Sequence, residues 1–424
     1  MAIRSFSIVS IIMLLIAYIS LPMLIVEAGS ANGDWPMFHY NPAHTGHLAN
    51  SSTVTSIQVW NYSTDSAIRS SIALVYGRIY VGSWDGNVYC LNSSTGVRLW
   101  SYKTNGPIEY SSPAVVNGYV YIGSDDGRIY CVDAYSGLQS WSYETGNMIM
   151  SSPTIVDGYV YVGSRDNNLY CLNASNGANI WHYQTNGYVD SSPAIVNDYV
   201  YVGSTDGNLY CLDYLGSKIW AYRTAGPIYS SPAVVDDYVY FGSADGCVYC
   251  VNASSGSITW RFETEDFVVS SPAVANGHVY VGSEDNCVYC LDALTGEEIW
   301  HYRTEYWVVS SPVVAGSCVY VGSEDYSVCC LDASSGTKIW SYETKGPIYS
   351  SPAVRNGIVY VSSTDGTVYA LSTSSGSLLF TSSQPRLTFP SFVVITLTTI
   401  IVLVILTVAF FIHKTEKKDD RELR

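Results

Sequence analysis

Residues 191–230 read SSPAIVNDYVYVGSTDGNLYCLDYLGSKIWAYRTAGPIYS, and this stretch decides the fold. It holds four strand-like runs. The first has the form SPAVV and ends at a turn such as Asn117-Gly118. The second reads YVYVGS, the third LYCLD and the fourth IWxYxT. A turn such as Asp126-Gly127 joins the second run to the third. Asp-Gly between alternating apolar runs is a strong hairpin signal, and it predicts positive φ at both central residues. The fourth run follows a loop such as Asp292-Ala-Leu-Thr-Gly296. There the Asp accepts hydrogen bonds from amides ahead of it, and the Gly suits a left-handed backbone.

The stretch repeats along the chain. Tryptophans stand at 60, 100, 141, 181, 220, 260, 300 and 340, and Phe380 falls 40 further on. Ser-Ser-Pro starts recur at 111, 151, 191, 230, 270, 310 and 350, with Ser70-Ser71-Ile72 as a degenerate first copy. A period near 40 signals a solenoid or a propeller. No helical pattern connects the units, so four antiparallel strands per unit make a blade. The expectation is an all-β, eight-bladed β-propeller over residues 56–382. Eight copies of the first three strands meet nine candidates for the fourth. The strand around Val59-Trp60 is therefore expected to pair into the last blade and close the ring. Closure removes exposed sheet edges. The Phe380 strand is left as a linker or an edge.

Composition agrees. The 424 residues are 14% aromatic and only 13% charged, with 37 Tyr and 34 Gly. That excludes a disordered chain, a collagen and a coiled coil. A net charge of −16 argues against nucleic acid as a partner, since no basic stripe could neutralise phosphates.

Both ends are apolar. Residues 1–28 read as a signal peptide or an N-terminal anchor: Arg4 leads an apolar run from Ile8 to Val26, and Val26-Glu27-Ala28 offers a cleavage site. Phe389 to Ile412 is 24 residues without a charge, enough for a transmembrane helix. Lys414, Lys417, Lys418, Arg421 and Arg424 follow and mark the cytoplasmic side. The reading is a single-pass cell-membrane protein. It has a lead-in at 29–55, an extracellular propeller, a linker at 383–388 and a cytoplasmic tail at 413–424.

Units of the form L-Y-C-L-D-A-x-T-G-x-x-I-W, each ending in Trp, resemble the pyrroloquinoline quinone (PQQ)-like propeller repeat. The lead-in, Asp34-Trp-Pro-Met-Phe38 through His44-Thr-Gly46, is also similar to the start of such proteins. The resemblance implies eight blades locked by Trp60, Trp100, Trp141, Trp181, Trp220, Trp260, Trp300 and Trp340, each ring docking on a neighbouring blade. The family includes quinoprotein alcohol dehydrogenases, which bind PQQ with calcium. It also includes non-enzymatic scaffolds similar to the outer-membrane assembly factor BamB.

Eleven cysteines are many. Seven occupy one repeat position, at 90, 131, 171, 211, 250, 290 and 330, which reads as a small buried residue between blades. Cys247, Cys287, Cys318 and Cys329 are extra. Cys247-Val-Tyr-Cys250 and Cys287-Val-Tyr-Cys290 have the CxxC form, but residues three apart on a strand face opposite ways, so no metal site is expected. Family dehydrogenases carry a vicinal disulfide over PQQ. Here Cys329-Cys330 falls on a third strand rather than a top-face loop, so that role does not transfer. No calcium ligand, catalytic Asp or CxxCH haem motif can be placed. His39, His44 and His47 show no ligand spacing.

The turn aspartates, at 85, 126, 166, 206, 245, 285, 325 and 365, share one face and read as turn chemistry. An acidic ring drawing cations, with Asp125, Glu284 and Glu324 adding charge, is the functional alternative. The loops entering each inner strand open near the axis on that face and vary. They supply Arg69, Glu109, Tyr110, Met148 to Met150, Asp190, Phe267 and Trp307, and Trp84 joins from a turn. Aromatics beside a few charges suit a peptide or a sugar. Arg69, Trp84, Glu109, Asp190, Phe267 and Trp307 are thus the candidate ligand-binding set. Asn50, Asn61, Asn92, Asn173 and Asn252 begin glycosylation sequons. No catalytic arrangement can be assigned. The first expectation is a non-enzymatic surface binding module for protein or glycan, with no cofactor. The others are a PQQ- and calcium-dependent oxidoreductase, and a structural envelope protein.

Overall fold

The computed structural model describes residues 34–48 and 57–372. Those residues form eight sheets, each with four antiparallel blade strands in a meander. In blade 2 the strands run outward from the axis as Ala114–Val116, Tyr119–Gly123, Arg128–Asp133 and Gln139–Glu144. Blade 8 takes Ala353–Arg355, Ile358–Ser362 and Thr367–Ser372 from one end of the chain. Its outer strand, Ile57–Ser63, comes from the other, with Trp60 paired to Ala370. The N-terminal strand therefore closes the ring, as the strand count predicts. Asn50, the Phe380 strand, and the segments 1–28, 383–388, 389–412 and 413–424 lie outside the described residues. Among the described residues no helix is long and apolar enough to cross a membrane.

One turn departs from its sequence reading. Asn117 and Gly118 both have positive φ, at 51° and 79°, as a two-residue hairpin requires. In the Asp126-Gly127 turn only Gly127 does. That loop spans four residues, Ser124 to Gly127, with Gly127 N–H donating to Ser124 O. The Asp126 carboxylate accepts the Arg128 N–H at 2.9 Å, which holds Asp126 on the ordinary side of φ.

The Ser-Ser pair has two jobs. The first Ser ties the inner strand to the end of the second: Ser111 Oγ accepts the Gly123 N–H at 2.9 Å, and Ser350 accepts the Ser362 N–H at 3.1 Å. The second Ser links blades around the axis. Ser71 N–H donates to Ser112 Oγ, Ser112 to Ser152, Ser152 to Ser192, Ser192 to Ser231, Ser231 to Ser271 and Ser271 to Ser311. Ser351 N–H donates back to Ser71. All eight side chains in this layer are buried.

At the rim, seven of the eight repeat tryptophans bridge to the next blade among the described residues. Trp141 Nε1–H donates to Ala174 O at 3.0 Å, and its ring lies flat against Gly177. Gly177 has φ +74°, and a Cβ there would stand 2.5 Å from Trp141 Cε3. Trp60, Trp100, Trp181, Trp220, Trp260 and Trp300 repeat the bond, and a glycine of the following blade again lies against each ring. The core therefore sits between blades, where the repeated cysteines are at most 1% exposed.

The lead-in forms a plug across the inner strands. Carbonyls of Trp35, Pro36, Pro42, Ala43, Thr45 and Gly46 accept N–H groups of Leu74, Val115, Ile195, Val234, Val274 and Val314, at 2.7–2.9 Å. These belong to blades 1, 2, 4, 5, 6 and 7. Blade 3 is met by a contact of 3.3 Å between Thr154 Oγ1 and His44 Nε2. Blade 8 is met by the buried Arg355–Asp34 ion pair at 2.7 Å. Inside the plug Phe38 stacks on His39 and meets His44 edge-on. Burial pushes His39 down to about 4 and His44 down to about 3, so both are neutral imidazoles.

Two outcomes follow. Gly177→Ala must force a Cβ into the Trp141 ring at positive φ, which costs about 2–4 kcal/mol. A lowered urea midpoint measures it, and in a Trp141→Ala background the cost shrinks to about 1 kcal/mol of backbone strain. The plug histidines must gain protons when the chain unfolds, because their unfolded value is near 6.5. Their contribution is complete above pH 6.5 and is lost as pH falls toward 4 and 3. The His39→Gln/His44→Gln variant should show a shallower loss of Tm than the wild type between pH 6.5 and 4.

Candidate functional site

The plug and the serine layer stop the central channel on one side. What remains is a funnel of about 440 Å³ with all eight second serines and Phe38 at its floor. Two sets of loops build its wall. One enters each inner strand. The other turns between the second and third strands, where the residue just before the regular Asp reaches back to the first set. Asp125 N–H donates to Pro107 O, Arg165 to Met148 O, Glu284 to Phe267 O and Glu324 to Trp307 O, all at 2.9 Å. Backbone bonds thus hold a ring of eight variable positions: Trp84, Asp125, Arg165, Thr205, Ala244, Glu284, Glu324 and Thr364.

The regular aspartates are not part of that ring. Asp126 Oδ2 accepts Tyr130 OH at 2.7 Å and the Asn105 N–H at 3.0 Å, so it fastens its own turn to the preceding blade. Asp166, Asp206, Asp245, Asp285 and Asp365 make the same pair of bonds.

Two arginines organise one side of the funnel. Arg69 Nη1 lies 2.5 Å from Glu109 Oε1 and 2.9 Å from Tyr110 OH. Its guanidinium sits over Tyr349, Trp84 and Tyr110, at 4.7, 5.2 and 5.3 Å. Arg165 grips Asp190 with Nε and Nη2, at 3.0 and 2.9 Å. The Asp190 bonds raise the Arg165 guanidinium further. The opposite side is acidic and aromatic. Burial, with help from Asp266 and Glu324, pushes Glu284 up to about 7. Burial and the Glu109 carboxylate push Asp125 up to about 6, against the pull of Arg165. Burial and the Glu324 carboxylate raise the Tyr349 hydroxyl, against the pull of Arg69.

Of the six candidates read from sequence, Arg69, Asp190 and Trp307 line the funnel. Glu109 and Trp84 flank Arg69. Phe267 stands apart: its ring is 48% exposed and lies off the funnel lining, while its carbonyl holds Glu284. Arg165, Tyr229 and Tyr349 line the funnel and were not among the candidates. Arg165 carried a signal, as a charged residue in the variable position before a regular Asp. Of the sequons, Asn92, Asn173 and Asn252 spend Oδ1 on their own turns. Their loops lie beside the inner hairpin turns on the plug face, as the Ser93 N–H to Gly77 O bond shows. Asn61 is exposed on the outer strand of blade 8.

The funnel residues do not fit PQQ held with calcium. Glu109 and Asp190 are each engaged by an arginine. Among the described residues no three His, Cys, Asp or Glu side chains converge on a metal-sized site. Cys329 and Cys330 are buried in different blade interfaces and neither lines the funnel. Burial also holds the repeated thiols protonated, as at Cys131, pushed up to about 12.

Comparison with known proteins gives a consistent answer on fold. Residues 40–238 match the model of the beta-alanine-activating enzyme β-propeller. Residues 216–313 and 304–406 match the model of outer membrane protein assembly factor BamB. The sequence matches no curated protein. BamB from Moraxella catarrhalis is similar in structure at 24% identity and a TM-score of 0.67, over 75% of this chain and 100% of that one. A europium-containing methanol dehydrogenase is similar at 14% and 0.72, over 81% and 98%. The quinohemoprotein alcohol dehydrogenase of Comamonas testosteroni is similar at 14% and 0.72, over 83% and 82%. At these identities the likeness is one of fold. With its eight Trp-ended blades, the chain has the fold of the PQQ-like β-propellers, and its C-terminal half is similar in sequence to the BamB model.

Proposed function

We propose that this protein is a non-enzymatic binding module, needing no cofactor, that holds a surface protein or glycan partner in its funnel. In this reading Phe389 to Ile412 anchors it in the cell membrane, with the propeller outside and the tail within. One observation carries the proposal. The serines and aspartates that bond blade to blade repeat around the ring, whereas the positions before the turn aspartates do not. Identical blades would be enough for a purely structural ring. A ring of different side chains, fixed in place by eight-fold backbone bonds, is what recognition of an unsymmetrical ligand requires. The aromatic rings of Trp307, Tyr349 and Tyr229 supply contact area, and the charged groups set orientation. The last described strand ends at Ser372 on the plug face, and the sequon loops share that face, so the funnel mouth opens on the other.

Peptide and glycan arrays probed with the full chain test this. A bound ligand should lose about tenfold or more in affinity with Trp307→Ala or Tyr349→Ala, a loss of the size expected for buried aromatic anchors. Phe267→Ala should bind as the wild type does. A ligand indifferent to both funnel substitutions would overturn the reading.

The acidic side has its own signature. Glu284 is held near 7 against an ordinary 4.5, so its proton stabilises the fold below pH 4.5, and that benefit is lost as pH rises through 7. Glu284→Gln should therefore melt above the wild type at pH 8 and together with it at pH 4.

A further inference from the structure

Blade 7 departs from the repeat at two places, the first on its third strand, Ser327–Asp332. Cys329 stands where other blades put the tyrosine that bonds the turn aspartate. Asp325 instead takes the Ser327 hydroxyl at 2.5 Å. The second departure is Cys318, at the start of the neighbouring strand Cys318–Gly322.

The register places Cys318 opposite Asp332, and Tyr320 opposite Cys330. Cys318 and Cys330 are therefore diagonal neighbours on one face of the sheet. They share a core cluster with Tyr320 and Trp340, against blade 8. Cys329 faces the other way, into the cluster with Trp300 and Cys290. In blade 1 Arg78 replaces Cys318, and its side chain turns to the same face, with Nη1 4.0 Å from the Sγ of Cys90, the counterpart of Cys330. In blade 7 the Cys318 thiol is the largest influence on the Cys330 thiol, which it holds protonated, and the two are 1% and 0% exposed.

We propose that Cys318 and Cys330 form a disulfide when the chain folds in the presence of a disulfide-donating oxidant. The sulfurs close to about 2.05 Å. Both thiol protons leave, and two electrons pass to the donor, whose own S–S bond breaks to give two thiols. The link staples the second and third strands of the blade that lacks the tyrosine–aspartate bond. It leaves Cys329 free, because a vicinal bond would need two neighbours on a strand to turn to one face. This inference does not depend on the funnel binding anything.

The test uses the full chain, reduced and unfolded in guanidinium, then refolded into detergent with oxidised and reduced glutathione. Folded material is denatured with excess iodoacetamide and digested. Trypsin leaves residues 304–338 as one peptide, and cleavage after Glu324 separates Cys318 from Cys330. The expected result is a Cys318–Cys330 link with the other nine of eleven cysteines alkylated. Cys318→Ser should give ten alkylated cysteines and no link. The oxidised wild type should unfold at higher urea than the reduced form, and that difference should vanish in Cys318→Ser. Eleven alkylated cysteines, or a link through Cys329 or any other pair, would overturn the proposal.

Discussion

Seven of the eight blade junctions, among the described residues, depend on one close approach, an indole ring lying flat on the backbone of the next blade. The approach needs a glycine, because a Cβ at Gly96, Gly177 or Gly296 would stand about 2.6 Å or less from the opposing ring. It also needs the indole N–H, which finds a carbonyl of the next blade. Together these set the distance between sheets. Once that distance is set, only small side chains fit between them, and the repeated cysteine is one. Apolar area fills the gap, and its burial drives assembly. The turn aspartates and the serine layer then fix rotation about the axis, since each bonds across to a neighbour.

A ring held this way has a hole, and the lead-in fills it with no regular secondary structure of its own apart from the two-residue strand His47–Leu48. Its carbonyls answer inner-strand N–H groups that would otherwise face an open channel. Keeping His39 and His44 neutral is the electrostatic cost of that fit. The consequence for function is geometric. With the channel stopped, the far side becomes a cavity with a floor rather than a pore, and whatever it holds enters and leaves by one mouth.

How far this was legible in the sequence depends on whether a feature repeats. The blades, their eightfold count and the closing strand around Trp60 all followed from spacing, because each rests on residues that recur every forty positions. The Asp126-Gly127 turn was misread because the dipeptide alone does not reveal that the carboxylate bonds two residues ahead. The plug was invisible as a plug. Residues 34–48 show no periodicity, and what orders them is the set of inner edges supplied by other blades. Phe267 was chosen for its ring, yet its carbonyl is what acts on the funnel. Whether a loop turns its side chain or its backbone inward is settled by the neighbouring blade.

The same division separates fold from recognition within each turn. In the sequence Ser-x-Asp, the serine and the aspartate are spent on neighbours in every blade, so they must repeat. The bond that the residue between them repeats in each blade is a backbone one, so its side chain is free to differ without loss to the ring. Charge has been distributed over that free position unevenly. Blades 1 to 3 set Arg69 and Arg165 against Glu109, Asp125 and Asp190, and the cations there are already matched. Blades 6 and 7 set Glu284 and Glu324 beside Trp307. Burial, with the Asp266 and Glu324 carboxylates, makes Glu284 hold its proton toward neutral pH. The funnel is thus polarised across its mouth by substitutions that the scaffold does not register, and that polarity is the part of the structure available to a ligand.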